Sequence, residues 1–162
     1  MAESDVASPP GGRILIIEDD EALARLLRGH LERAGHKVHV INQAKPALAF
    51  AAEQPIDVVV LDILLPDMNG YDVCVELRRL YHPRILPIVI LSALNQPKQK
   101  RLGFNRGAEA YLTKPVQTVD FLGTVAVMLH RARERDKAPS RARPDGRATA
   151  TPPAAGTRRR AP

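Results

Sequence analysis

The sequence is short of several things. In 162 residues it has a single cysteine, Cys74, no tryptophan, and only three tyrosines and three phenylalanines. One cysteine excludes an internal disulfide framework and a thiolate zinc site, and it agrees with a reducing, cytoplasmic compartment. Cys74 is therefore expected to be a small core residue. No uninterrupted apolar run approaches the roughly 18 residues that cross a bilayer. The opening MAESDVASPPGG has neither the basic start nor the apolar centre of a secretory signal. The first apolar segment, RILII, is followed by EDDEAL rather than by a glycine-rich phosphate loop, which argues against a nucleotide or flavin site. There is no internal repeat.

Charge is present but unevenly spread. The formal net charge is +6, yet residues 131–162 alone hold ten Arg or Lys against three acids, a surplus of seven that leaves residues 1–130 at one net negative charge. The final stretch, KAPSRARPDGRATATPPAAGTRRRAP, is rich in Pro, Ala and Arg and has almost nothing to bury. Disorder is expected for it, from residue 136 to 162, and also for residues 1–12. One folded domain over 13–135 is left between them, a size that supports its own core.

Within that domain short apolar runs alternate with segments of helical period. RILII (Arg13 to Ile17), KVHVI (Lys37 to Ile41), DVVVLD (Asp57 to Asp62), PIVILS (Pro87 to Ser92) and AYLT (Ala110 to Thr113) read as strands. VVVL and IVIL are apolar at consecutive positions, as parallel strands covered on both faces require. Leu23, Leu26, Leu27, Leu31 and Ala34 mark the first helix, which stops at Gly35; PALAFAAE marks the second, and Val73, Leu77 and Leu80 the third. The fourth, in PKQKRLGFNRG, is weakly written, because Gly103 lowers its stability by about 1 kcal/mol relative to Ala. The fifth is expected from Val119 to about Arg135, capped by Thr118. Strict alternation of five strands and five helices predicts a doubly wound α/β domain with a parallel sheet of order 2-1-3-4-5, flavodoxin-like in topology.

Sites in such sheets lie beyond the carboxyl ends of the strands. Glu18, Asp19 and Asp20 follow the first strand, Asp62 and Ser92 end the third and fourth, and Lys114 and Pro115 follow the fifth. Each has a structural explanation taken alone. Asp20 suits a helix cap, Asp62 and Ser92 can satisfy turn amides, Lys114 can be a solvated loop residue, and Pro115 can open a helix. Their joint arrival at one rim is what points to chemistry. Crowded carboxylates repel one another unless a cation sits among them. Oxygen donors with no His or Cys nearby suit Mg²⁺, since His30, His36, His39, His82 and His130 are scattered elsewhere. A carboxylate beside Mg²⁺ can attack a phosphoryl group to give an aspartyl phosphate. The metal, Lys114 and the Ser92 hydroxyl would then each neutralise a phosphoryl oxygen. Asp62 is the acid around which metal, ammonium and hydroxyl would be arranged, which makes it the candidate nucleophile.

Together IIEDDEALARLL, VVVLDILLPDMNGYDV, ILSA and AYLTKP, in that order, resemble the receiver domain of two-component response regulators over residues 13 to about 130. The resemblance implies a CheY-like switch with Asp62 as phosphoacceptor. Glu18 and Asp19 would hold Mg²⁺ together with Asp62 and the backbone carbonyl of Leu64, and Ser92 and Lys114 would contact the phosphoryl group. Tyr111 falls at the switch aromatic, and the peptide before Pro115 is expected to be cis. Glu18 stands where many relatives have Asp. Leu64 brings an apolar side chain near the phosphate, where it is expected to restrict attacking water.

The implied partners are a sensor histidine kinase or phosphotransfer protein, a downstream protein not named by the sequence, and a second copy through the surface of the fourth helix, fifth strand and fifth helix. Self-catalysed phosphotransfer and autodephosphorylation are expected, not enzymatic turnover. No second periodic segment follows residue 135, so the reading is of a stand-alone receiver. A competing reading makes the basic tail a grip for a nucleic acid or other polyanion, with salt-dependent contacts. The tail lacks aromatic residues for base stacking, and a solvated extension is the favoured account of it.

Overall fold

A computed structural model of the chain describes residues 11–137. The expectations for residues 1–10 and for the basic tail from 138 to 162, including Arg141, Arg143, Arg147 and Arg158 to Arg160, lie outside the described residues.

Five strands and five helices alternate: β1 (Arg13–Ile17), α1 (Glu21–Arg33), β2 (Lys37–Ile41), α2 (Ala44–Glu53), β3 (Val58–Leu61), α3 (Gly70–Tyr81), β4 (Ile88–Ser92), α4 (Pro97–Asn105), β5 (Ala110–Thr113) and α5 (Thr118–Lys137). The sheet is parallel in the order β2-β1-β3-β4-β5. Successive side chains of a strand point to opposite faces. Here both faces are covered, so alternate residues of the same strand enter different cores. Leu15, Ile17, Val59, Leu61, Ile88 and Ile90 pack with α2 and α3 on one face. Ile14, Ile16, Val58, Val60, Val89 and Leu91 pack with α1 and α5 on the other. That two-sided burial is why β3 and β4 read as continuous apolar runs, each large side chain contributing about 1.5–3 kcal/mol. Cys74 is buried in the first core.

Several expectations change in detail. β3 is shorter than DVVVLD, because Asp57 and Asp62 flank it at its two ends. Leu26 and Leu80, counted with the apolar stripes of α1 and α3, face solvent at 56% and 46% exposure. Thr118 does not cap α5 but is its first residue, and its hydroxyl lies 3.4 Å from His30 Nε2. The helix opens instead with the Gln117 carbonyl accepting from Phe121 N–H. It continues past Arg135 to Lys137, where Arg135 pairs with Glu109 and Asp136 with Arg84. Gly103 has a packing reason: a Cβ there would meet Ile90 Cδ1 at 2.9 Å and the Tyr111 ring at 3.0 Å. No described helix is long and apolar enough to cross a membrane.

Candidate functional site

Three backbone hydrogen bonds carry the ladder one residue beyond the strands and so set the positions of the polar side chains. Glu18 N–H donates to the Ile41 carbonyl (3.2 Å), Asp62 N–H to Ile17 (2.9 Å) and Lys114 N–H to Ser92 (2.9 Å). Residues far apart in sequence therefore meet at one rim. Asp62 and Glu18 are nearly inaccessible, at 5% and 3% exposure, and Ser92 is fully buried. Lys114 Nζ donates to Glu18 Oε2 at 2.8 Å and to Asp62 Oδ2 at 3.2 Å. Asp62 Oδ1 accepts from Leu64 N–H at 3.2 Å.

One carboxylate oxygen each from Glu18, Asp19 and Asp62 lie within 4.8 Å of one another, with Asp19 exposed and the other two buried. An all-oxygen donor set with one open flank fits a hard divalent cation such as Mg²⁺, which keeps part of its water shell. Of the three acids, Glu18 and Asp62 share the Lys114 ammonium. Burial, with the charge of Asp62 adding to it, pushes the Glu18 carboxyl up to about 7 against the opposing hydrogen bond from Lys114. Burial works to lower the Lys114 ammonium, but the bond to Glu18 and the nearby Asp62 charge outweigh it, so its pKa is raised. The site is short of positive charge, and its own lysine does not make up the deficit. Beside it a cleft of about 410 Å³ is lined by Glu18, Glu21, Arg25, Arg28, Val40 and Asn42.

The remaining candidates occupy different places. Asp20 is the N-cap of α1, its side chain accepting from Leu23 N–H at 3.1 Å, and it gives its own N–H to Glu18 Oε1. The Ser92 hydroxyl accepts from Leu94 N–H (3.3 Å), while the Tyr111 hydroxyl donates to the Leu94 carbonyl (2.7 Å). Ser92 and Tyr111 thus both bond to Leu94, one at its N–H and the other at its carbonyl. The Lys114–Pro115 peptide is cis, as the resemblance implied, and so is His82–Pro83.

Sequence reasoning did not single out the residues that fix the loop after Asp62. Asp67 accepts from Ala44 and Lys45 N–H (2.8 and 2.9 Å) and so caps α2 from across the rim. Gly70 sits so close that a Cβ would lie 2.6 Å from the Asp62 carbonyl oxygen. The signal was the PDMNG turn, whose glycine marks a close backbone approach.

The chain resembles known proteins over the same span. The response regulator receiver domain family matches residues 14–126. The DNA-binding dual master transcriptional regulator RpaA of Synechocystis is 39% identical over 119 residues, 74% of this chain and 49% of that protein. The sensory/regulatory protein RpfC of Xanthomonas campestris is 40% identical over 116 residues, 70% of this chain and 16% of its own length. The chain thus spans about half the length of the transcriptional regulators it matches. Among solved structures, the CheY-like receiver domain protein of Methanospirillum hungatei superposes with a TM-score of 0.72 at 27% identity, covering 77% of this chain and 98% of that one. The BeF3-activated DrrB receiver domain gives 0.68, also at 27%, covering 75% and 99%. An acidic rim able to hold a metal, on a parallel sheet of this order and with this sequence likeness, leads to one conclusion: the chain belongs to the response regulator receiver domain family.

Proposed function

We propose that the domain is the phosphorylation-dependent switch of a two-component system, with Asp62 receiving a phosphoryl group from a histidine kinase or phosphotransfer protein in the cytoplasm. The observation that carries this reading is the buried Asp62 carboxylate, with the Lys114 ammonium 3.2 Å away and the oxygens of Glu18 and Asp19 within 4.8 Å. Glu18, Asp19, Asp62 and the Leu64 carbonyl would hold Mg²⁺, which would supply neutralisation of phosphoryl charge when bound. An oxygen lone pair of Asp62 attacks phosphorus; the new P–O bond forms as the donor's P–N bond breaks, its electrons staying on the donor histidine. Lys114 and the Ser92 hydroxyl, with nearby backbone N–H groups, take up charge on the transferring oxygens. Hydrolysis by water resets the switch, and Leu64, an apolar side chain 57% exposed at the mouth of the site, slows that step. These are the reactions of a signalling domain, not of an enzyme that turns over a separate substrate.

The output passes through Leu94. A Ser92 hydroxyl drawn toward the phosphoryl group gives up Leu94 N–H, and the Leu94 carbonyl is the acceptor for Tyr111. The new balance appears on α4, β5 and α5, where Leu102, Phe104, Val119 and Val127 are exposed for a downstream protein or a second copy. Incubation with a labelled acyl phosphate and Mg²⁺ tests the assignment. Wild-type protein is expected to take up label as an alkali-labile acyl phosphate and Asp62→Asn none; label on the variant would move the acceptor elsewhere.

A further inference from the structure

α4 is held to the body mainly from below. Gly103 is its one buried residue, and phenol hydroxyls donate to one carbonyl within the helix and one just ahead of it. The Tyr111 hydroxyl donates to the Leu94 carbonyl just ahead of the helix, at 2.7 Å. The Tyr71 hydroxyl, from the first turn of α3, donates to the Gln99 carbonyl in the first turn of α4, at 3.1 Å. Tyr71 is only 7% exposed, and the Tyr111 ring lies directly under Gly103. Burial pushes the Tyr71 phenol up to about 12, and the nearby Tyr111 adds to that.

Tyr71 is also fastened to the loop that carries Asp62. Gly70 N–H donates to the Ile63 carbonyl (2.9 Å), and a Cβ at Gly70 would lie 2.5 Å from Ile63 Cα. Asn69 bridges to Leu64, while its side chain caps α3 by accepting from Tyr71 N–H (2.8 Å). A physical route therefore runs from Asp62 to α4 by Leu64, Asn69, Gly70 and Tyr71 to Gln99. Beside it, Ser92, Leu94 and Tyr111 form a second chain that ends under Gly103.

We propose that Tyr71 is a second switch tyrosine, a positioning residue whose hydroxyl bond to the Gln99 carbonyl holds α4 in the register that keeps the Tyr111 ring beneath it. This rests on the switch reading above. A bond made in one state of a two-state element biases that state; with the ring beneath α4 assigned to the state the phosphoryl group favours, losing the bond weakens a phosphoryl mimic. Tyr71→Phe keeps the ring and removes only the donor. Beryllofluoride in Mg²⁺ is the probe. Its affinity is expected to fall about fivefold in Tyr71→Phe, the effect of one ordinary hydrogen bond, with Mg²⁺ affinity unchanged. Tyr71→Phe should have no further effect in a Tyr111→Ala background, where no ring remains to be held. If wild-type protein binds no beryllofluoride, the switch reading fails and this one with it. Should wild-type protein bind it, three results overturn the Tyr71 proposal alone: equal affinity in Tyr71→Phe, a parallel loss of Mg²⁺ affinity, or simple additivity with Tyr111→Ala.

Discussion

At the amino end of the strands, each acid meets a base in an ion pair. Arg13 Nε lies 3.0 Å from Asp57 Oδ2 and Arg84 lies 2.9 Å from Asp136 Oδ2, all four side chains at least partly open to water. At the carboxyl end, three acids gather within 4.8 Å of one another, and Lys114 pairs with the two that are buried, Glu18 and Asp62. Both rims carry charged side chains. They differ in whether the folded chain completes its own charge balance. A balanced, hydrated set of pairs adds a modest amount to stability, whereas a buried, unbalanced one is maintained against stability and calls for a ligand.

The sharpest test of that contrast is pH. Glu18 has its folded pKa raised from 4.5 to about 7, so without metal its favourable contribution is full below about pH 4.5 and is lost as pH rises through 7. That shift corresponds to an effect on the order of 3 kcal/mol. Urea titrations without metal should show stability falling from pH 5 to pH 8, and Mg²⁺ should remove most of the fall because it favours the ionised carboxylate. The amino rim has the opposite sign. Burial opposes ionisation of Asp57, but hydrogen bonds from the Arg13 side chain and N–H outweigh it and hold its pKa below 3.8. Its contribution is present above about pH 4 and is lost only on acidification below that.

Removing the cation that pairs with Glu18 and Asp62 comes next in size. Lys114→Ala leaves Glu18 and Asp62 buried with no ammonium between them, and a loss of about 2 kcal/mol is expected at pH 8 without metal. Added Mg²⁺ should restore most of it in a thermal melt; a loss indifferent to Mg²⁺ would mean Lys114 serves packing alone. The smallest effect compares equivalent substitutions at the two rims. Asp57→Asn should destabilise by about 1 kcal/mol, since it breaks an existing, partly screened pair. Asp62→Asn should instead stabilise the metal-free protein by a similar amount, because it relieves repulsion with Glu18. Equal signs for the two would erase the distinction between the rims.

Much of this was legible in the residues themselves. RILII, KVHVI and AYLT mark β1, β2 and β5 to the residue: β1 is a central strand buried after Arg13, whereas β2 and β5 are half-buried edge strands legible from short runs rich in β-branched and aromatic residues. Asp20 as a cap was readable from its place before an amphipathic segment. Thr118 misled because a threonine ahead of an apolar run looks the same whether it caps the helix or begins it; the backbone bond from Phe121 to Gln117 decides. Leu26 and Leu80 misled because periodicity locates a stripe but not which of its edges meets the sheet. Tyr71 carried no charge and no spacing cue. Its role depends on a carbonyl 28 positions away.

The local chemistry belongs to the sequence: which runs become strands, where turns fall, and which side chains bring carboxylate, hydroxyl and ammonium. Pairing across the sheet settles the rest. The Ile17, Ile41 and Ser92 carbonyls accept from Asp62, Glu18 and Lys114, and those bonds place acids from β1 and β3 beside a lysine from β5 at distances near 3 Å. Burial of that group, and with it the unmet need for a cation, arises only when the helices close over both faces, because no local sequence can remove water from a carboxylate by itself.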